Sequence, residues 1–346
     1  MRKFKLYILF FLLLVAGTYF VGPKPPKAEL NRDLPSLPSG GKNLELFIAK
    51  KEAGFNVKPD NEARIIWAEE GTKSRTEYAL LYLHGFSASW MEGYPANIEF
   101  ARYFGMNAYF PRLASHGLET EEPLIDMTPD YLWESAKEAM MVARSLGKKI
   151  IVMGTSTGGT LALMLAAEFP EYVDGLILYS PNIRINNSSA FLLARPWGLQ
   201  IARAVTKNRY RVTEDDVDSK NCQYWYCQYR LEGVVYLQQL VDAAMKKETY
   251  ERVTVPVFLG YYYKDEENQD QTVRVDAMLK MFNQLGTSVA KKVEKSFPEA
   301  GDHVIASELT SGAVMEVLQE TIRFGKDVLE LEPSNVNQFP EQQFHQ

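Results

Sequence analysis

Apolar residues are spread unevenly along the chain. An uncharged hydrophobic run occupies 6–22, and a polar stretch broken by proline and glycine follows over 23–43. From about residue 44, apolar positions recur with the periods of strands and helices. Apolar-rich runs at 63–68, 77–83, 106–110, 150–153, 173–179 and 255–263 predict strands, the central ones almost continuously hydrophobic, as in a sheet covered on both faces, and a last strand is expected near 290–295. Amphipathic runs at 96–104, 128–146, 273–285 and 312–329, with the apolar run at 161–169, predict helices between them. Thr128-Pro129 is a helix start, with the threonine as N-cap and proline at the first position, and Gly147 stops the same helix. This alternation implies an α/β domain over 44–330 built on a parallel sheet.

The alternation breaks at 182–251. This stretch is rich in Arg, Asn and Tyr and is helical at 190–205 and 231–246, so it reads as a helical cap inserted over the carboxyl end of the sheet. Tyr224, Trp225, Tyr226 and Tyr229 cluster there, either lining a pocket or packing the cap. Cys222 and Cys227 flank that cluster, as a small-loop disulfide or as two thiols. Residues 331–346 read as a loose polar tail.

Composition narrows the partners. A net charge of −6 with no Lys/Arg cluster argues against nucleic acid as partner. Two cysteines and four histidines cannot build a disulfide scaffold or a four-ligand zinc site, and no metal or cofactor is expected. Arg2, Lys3 and Lys5 ahead of the apolar run mark 1–22 as a targeting segment. It reads as an uncleaved membrane anchor, short beside the usual span of about 20 residues, or as a signal cut near Ala16-Gly17. Either way the charges stay inside and the catalytic bulk is exported to the periplasmic or extracellular side. Pro23, Pro25, Pro26, Pro35, Pro38 and Gly40-Gly41 make 23–43 an extended tether.

The candidate chemistry centres on Gly154-Thr155-Ser156-Thr157-Gly158, between a buried strand and a helix. This G-x-S-x-G spacing suits a serine held on a sharp, strained turn, because only small residues two positions away let the strand and helix pass closely. The helix N-terminus then points amides at the space before Ser156. The loop His84-Gly85-Phe86 ends the preceding strand, so the Phe86 and Thr157 amides are candidate oxyanion donors, with His84 bracing the loop.

A serine hydroxyl needs a base, and the base needs a carboxylate. In this architecture the chain order is serine, acid, histidine. His84 and His116 precede Ser156 and His345 lies in the tail, which leaves His303. Asp265 and Asp270 both follow the strand at 255–263. Asp270 is preferred because it immediately precedes a helix, while Asp302 reads as structural.

With these residues the chain resembles the α/β-hydrolase superfamily, in particular its capped carboxylesterase and monoacylglycerol-lipase-like members. The resemblance rests on His84-Gly-Phe86, the elbow through Gly159, Asp270-x-x-Val and Asp302-His303-Val304, over about 60–330. It implies an eight-stranded, mostly parallel sheet with helices on both faces, metal-free chemistry and a small-molecule or lipid-like acyl ester substrate. The stretch 264–269 before Asp270 departs from the family pattern. A peptidase or acyltransferase would use the same triad, and a hydrolase-like binding protein that has lost activity is the reading from another class.

Overall fold

The protein is described by a computed structural model covering residues 2–38, 40–213 and 219–334, so 335–346, with His345, lie outside the described residues. The strands are β1 (Arg64–Ile66), β2 (Thr76–Leu83), β3 (Asn107–Phe110), β4 (Gly147–Thr155), β5 (Gly175–Tyr179), β6 (Tyr210–Val212), β7 (Gln228–Arg230), β8 (Val257–Tyr261) and β9 (Lys292–Ser296). Among the described residues seven of them form one sheet in the order β1-β3-β2-β4-β5-β8-β9. All neighbours in it are parallel except the antiparallel edge pair β1 and β3.

Each apolar run in the sequence corresponds to one strand of this sheet. The family resemblance implies eight strands, and the sheet has seven. Ahead of β1 the chain forms a helix, α2 (Gly41–Glu52), whose Leu44 and Ile48 enter the core. Before it, α1 (Arg2–Phe20) displays exposed apolar side chains from Phe4 to Leu14. Among the described residues no helix is long and apolar enough to cross a membrane, so the anchor expected at 1–22 finds no support in the fold.

Helices cover both faces. On one lie α4 (Pro129–Leu146) and α5 (Thr157–Glu168); on the other lie α3 (Ala96–Tyr103) and α11 (Val314–Asp327). Strand β4 shows why a continuous apolar run was required. Ile150 and Val152 enter the first core, while Ile151 and Met153 enter the second, as the two-residue period of a strand dictates. Thr128 caps α4 as expected, accepting from Tyr131 N at 3.2 Å.

Residues 23–38, within the stretch expected to be an extended tether, are extended and strapped to the body. Asp130 Oδ1 accepts the amides of Glu29 at 2.8 Å and Leu30 at 2.6 Å. The fully buried ammonium of Lys137 donates to Asn31 Oδ1 at 2.7 Å and to Asp33 O at 2.6 Å. A buried cation must be paired or hydrogen-bonded, and an extended proline-rich chain has free carbonyls to offer it. At the other end, 331–334 is also pinned: Leu331 N donates to Gly325 O at 3.0 Å and Ser334 N to Tyr103 O at 2.9 Å.

The cap differs from the all-helical insertion expected. It holds α6 (Gly198–Thr206), the antiparallel pair of β6 and β7, and the short α7 (Lys220–Tyr224). Its later part, α8 (Leu231–Ala244) and α9 (Lys247–Arg252), belongs to the body, where Leu237, Leu240 and Ala244 join the core beside α5. Amphipathicity identified these helices but does not say which neighbour an apolar face meets.

Candidate active site

Strands β2, β4, β5, β8 and β9 end on one side of the sheet, and each candidate residue stands on the loop after one of them. Ser156 follows β4 with φ 53° and ψ −117°, a conformation that costs a non-glycine residue about 1–3 kcal/mol and persists only where the surroundings enforce it. They do so here. Ser156 N donates to Tyr179 O at 2.9 Å, and Ser156 O accepts from Asn182 N at 2.9 Å. A Cβ on Gly158 would overlap the Leu83 carbonyl, and one on Gly154 would strike the Gly158 backbone, so α5 can cross the sheet this closely only with glycine at both positions.

The loop after β2 is fixed by His84. Its Nδ1–H donates to Gly85 O at 2.9 Å, and its Nε2 accepts from Leu113 N at 3.1 Å. Both ring nitrogens are therefore occupied in the neutral tautomer. Burial, with the His116 ring 4.9 Å away, holds His84 well below the usual imidazole range. In a trans peptide the N–H points opposite to the C=O, so holding Gly85 O fixes the direction of the Phe86 N–H. Among the described residues neither the Phe86 amide nor that of Thr157, the first residue of α5, donates to another backbone group.

Asp270 and His303 meet on the far side. His303 Nδ1 and Asp270 Oδ2 are 2.6 Å apart, and Asp270 Oδ1 accepts the amides of Thr272 at 2.8 Å and Val273 at 2.9 Å. Burial raises the Asp270 carboxyl, but His303 and the two amides more than offset it and the net shift is downward. Burial likewise lowers His303, yet the Asp270 charge, helped by Glu92 and Asp302, leaves it above its ordinary value. Among the described residues His303 Nε2 is buried without a partner, and no hydrogen bond joins it to Ser156. Such contacts are commonly long in unliganded enzymes and tighten around substrate.

Asp265 is exposed and ties only its own turn, through Glu267 N and Asn268. The stretch 264–269 leaves the sheet and returns: Lys264 N donates to Asn268 O at 2.9 Å, and Asp270 N to Tyr262 O at 3.2 Å. Asp270 thereby sits at the strand end despite the insertion. Asp302 accepts from Val304 N at 2.8 Å, a local structural bond.

The aromatic cluster mainly packs the cap onto the body. Tyr224 donates to Asp60 Oδ2 at 2.8 Å, Tyr226 reaches Leu118 O at 3.0 Å, and Tyr229 lies edge-on to Phe86 at 5.1 Å. Cys222 and Cys227 form a disulfide, with Cα atoms 5.3 Å apart. Sequence reasoning missed Glu92, a buried acid on the 3-10 turn Trp90–Gly93 that accepts the Gly85 amide. One acid in a short loop carries no periodic signal that could have revealed it. A 710 Å³ cavity at the β1–β3 edge, lined by Trp67, Asn107 and Ser334, shares no residue with this site. Among the described residues no group of His, Cys, Asp and Glu could hold a metal ion.

Comparison with known proteins points the same way. Residues 80–308 match the profile of the Alpha/beta hydrolase family. The human protein named serine hydrolase BPHL is 22% identical over 169 residues, covering 47% of this chain and 54% of that protein. Its mouse counterpart is 23% identical over 197 residues, covering 55% and 64%. The chain thus spans between half and two-thirds of the curated relatives it matches. Among solved structures, a metagenome-derived lipolytic enzyme described with LipS and LipT superposes with a TM-score of 0.62 at 18% identity, covering 78% of this chain and 98% of that one. The Paleococcus ferrophilus monoacylglycerol lipase superposes with a TM-score of 0.52 at 14% identity, covering 76% and 96%. At these identities the likeness shows the fold.

Proposed function

The chain belongs to the alpha/beta hydrolase family, and from that premise we propose that it is an exported serine hydrolase cleaving carboxylic esters. Ser156 Oγ attacks the ester carbonyl as His303 Nε2 takes its proton, while Asp270 holds Nδ1–H and stabilises the imidazolium. The Phe86 and Thr157 amides bind the oxyanion. Collapse expels the alcohol, protonated by His303. Water, deprotonated by His303, then releases the acid from Ser156. The observation that carries this reading is the 2.6 Å Asp270–His303 pair, whose other ring nitrogen is buried and unpartnered on the same side of the sheet as the strained serine.

The names of the fold neighbours, a lipolytic enzyme and a monoacylglycerol lipase, support an acyl ester of small-molecule or lipid-like character. Export is supported by the basic residues ahead of the apolar run, with 1–22 retained or removed as the targeting segment, and by the Cys222–Cys227 disulfide, which suits an oxidising compartment. Turnover of p-nitrophenyl esters of increasing acyl length tests the activity. The full chain hydrolyses at least the short esters and Ser156→Ala does not; equal rates in both would overturn the proposal.

A further inference from the structure

Glu92 has no part in the mechanism above, yet it lies at the centre of the site. A Cβ on Gly85 would meet Glu92 Oε1 at 2.6 Å and Ser156 Cβ at 3.1 Å, so carboxyl and nucleophile flank the same backbone position. The carboxyl is aimed by a rigid turn. Asn97 Nδ2 donates to Trp90 O at 2.9 Å and Ser307 Oγ to Met91 O at 3.1 Å, which fixes the carbonyls just before Glu92.

Three pieces of the site meet on this group. Glu92 Oε2 accepts the Gly85 amide, and the Tyr82 hydroxyl at 3.4 Å. Tyr82 in turn pairs at 3.0 Å with Thr155 Oγ1, the residue before the nucleophile. From the cap, the Trp225 side chain lies near enough to favour the carboxyl's charged form. Trp225 sits in the loop closed by the Cys222–Cys227 disulfide, which is clamped to the body by Lys58 donating to Trp225 O at 3.2 Å and by Tyr226 N donating to Ser87 O at 2.9 Å.

We infer that Glu92 is the positioning residue of the oxyanion hole: it holds the Gly85 amide and the Tyr82 hydroxyl, keeping the Gly85–Phe86 peptide in line with Thr157. His84 fixes the carbonyl of that peptide and Glu92 fixes the amide just before it, so the loop is gripped at both ends. The inference rests on the hydrolase reading. A carboxyl so placed is costly, because burial pushes it up to about 8 despite the Gly85 amide, His303 and Tyr82. Structural need alone would be met by a neutral side chain, and groups that lower stability at a site of chemistry are commonly kept for function.

The test measures kcat and KM on p-nitrophenyl acetate, per active site titrated with a fluorophosphonate, together with Tm, for the full chain and for Glu92→Gln and Glu92→Leu. A wild-type chain that neither labels nor turns over would defeat the hydrolase reading, not this inference. Given an active wild type, Glu92→Leu lowers kcat about 100-fold, as loss of one oxyanion donor does, with KM changed little and Tm changed little, because removing the buried carboxyl offsets the unsatisfied Gly85 amide. Glu92→Gln keeps one acceptor for the amide and loses about fivefold at pH above the ionisation of Glu92, since a neutral acceptor is weaker than a charged one. The pH profile gives a readout that a merely structural role would not move. The groups facing Glu92 are Tyr82 from β2, His303 from the loop after β9 and the non-titrating Trp225 from the cap. Wild type shows a second rise in kcat of about fivefold as Glu92 ionises and its hydrogen bonds become charge-assisted, and Glu92→Gln lacks it. A kcat within threefold of wild type in Glu92→Leu, or a kcat loss matched by a fall in Tm and in titratable Ser156, overturns the inference.

Discussion

Two histidines flank Ser156, and the regions around them do opposite work with the same side chain. His84 is buried with both ring nitrogens bonded to backbone, and its surroundings drive it well below the normal range. His303 gives one nitrogen to a carboxylate, keeps the other free, leaves 11% of its side chain open and is shifted upward. Burial acts downward on both, so burial does not separate them. The Asp270 charge does. An imidazole whose nitrogens are all occupied can only brace, whereas one with a carboxylate behind it and a free nitrogen in front can take a proton and hold the resulting charge.

Breaking the His303 side gives the largest expected loss. His303→Ala lowers kcat on p-nitrophenyl acetate by about 10⁵-fold or more, because the serine then has no base. Asp270→Asn follows at about 10⁴-fold through the wrong tautomer, while Asp265→Asn, on its own exposed turn, stays at wild-type rate in the same assay. On the brace side, His84→Ala loses about 100-fold in kcat. It also lowers Tm by several degrees in a calorimetric scan, because Gly85 O and Leu113 N–H are left unsatisfied at about 1–3 kcal/mol each.

The smallest effect is in the pH profile. His303 must be neutral to accept the Ser156 proton, and its pKa is raised, so kcat/KM is low in acid and rises with a midpoint above the ordinary 6.5. Removing the carboxylate in Asp270→Asn leaves burial unopposed by its main counterweight and moves the midpoint of the residual activity downward. His84 stays neutral throughout and adds no limb.

Much of the fold was legible because burial writes itself into the sequence. The central strands were legible from their apolar runs, since a strand covered on both faces has little room for polar residues; the eighth strand that the resemblance implied is absent from the sheet formed by the described residues. The elbow was legible because its glycines answer a steric demand, and His303 because so few histidines compete for its place. What escaped depends on partners distant in sequence. Beyond Glu134 one turn before it, Lys137 gives no sign that it also donates to Asn31, 106 residues away in the strapped segment. Glu92 looks like any loop acid until the Gly85 amide is seen on it. The cap's apolar faces did not reveal that α8 packs into the body.

The central claim is that Ser156 is a nucleophile made reactive by His303. Mass spectrometry of the peptide containing Ser156, after brief exposure of the folded chain to a fluorophosphonate, tests it most directly. The account predicts one stoichiometric adduct on Ser156, formed far more slowly in His303→Ala and unaffected in Asp265→Asn. An unmodified Ser156 in the folded protein, or labelling as fast without His303 as with it, would contradict the account.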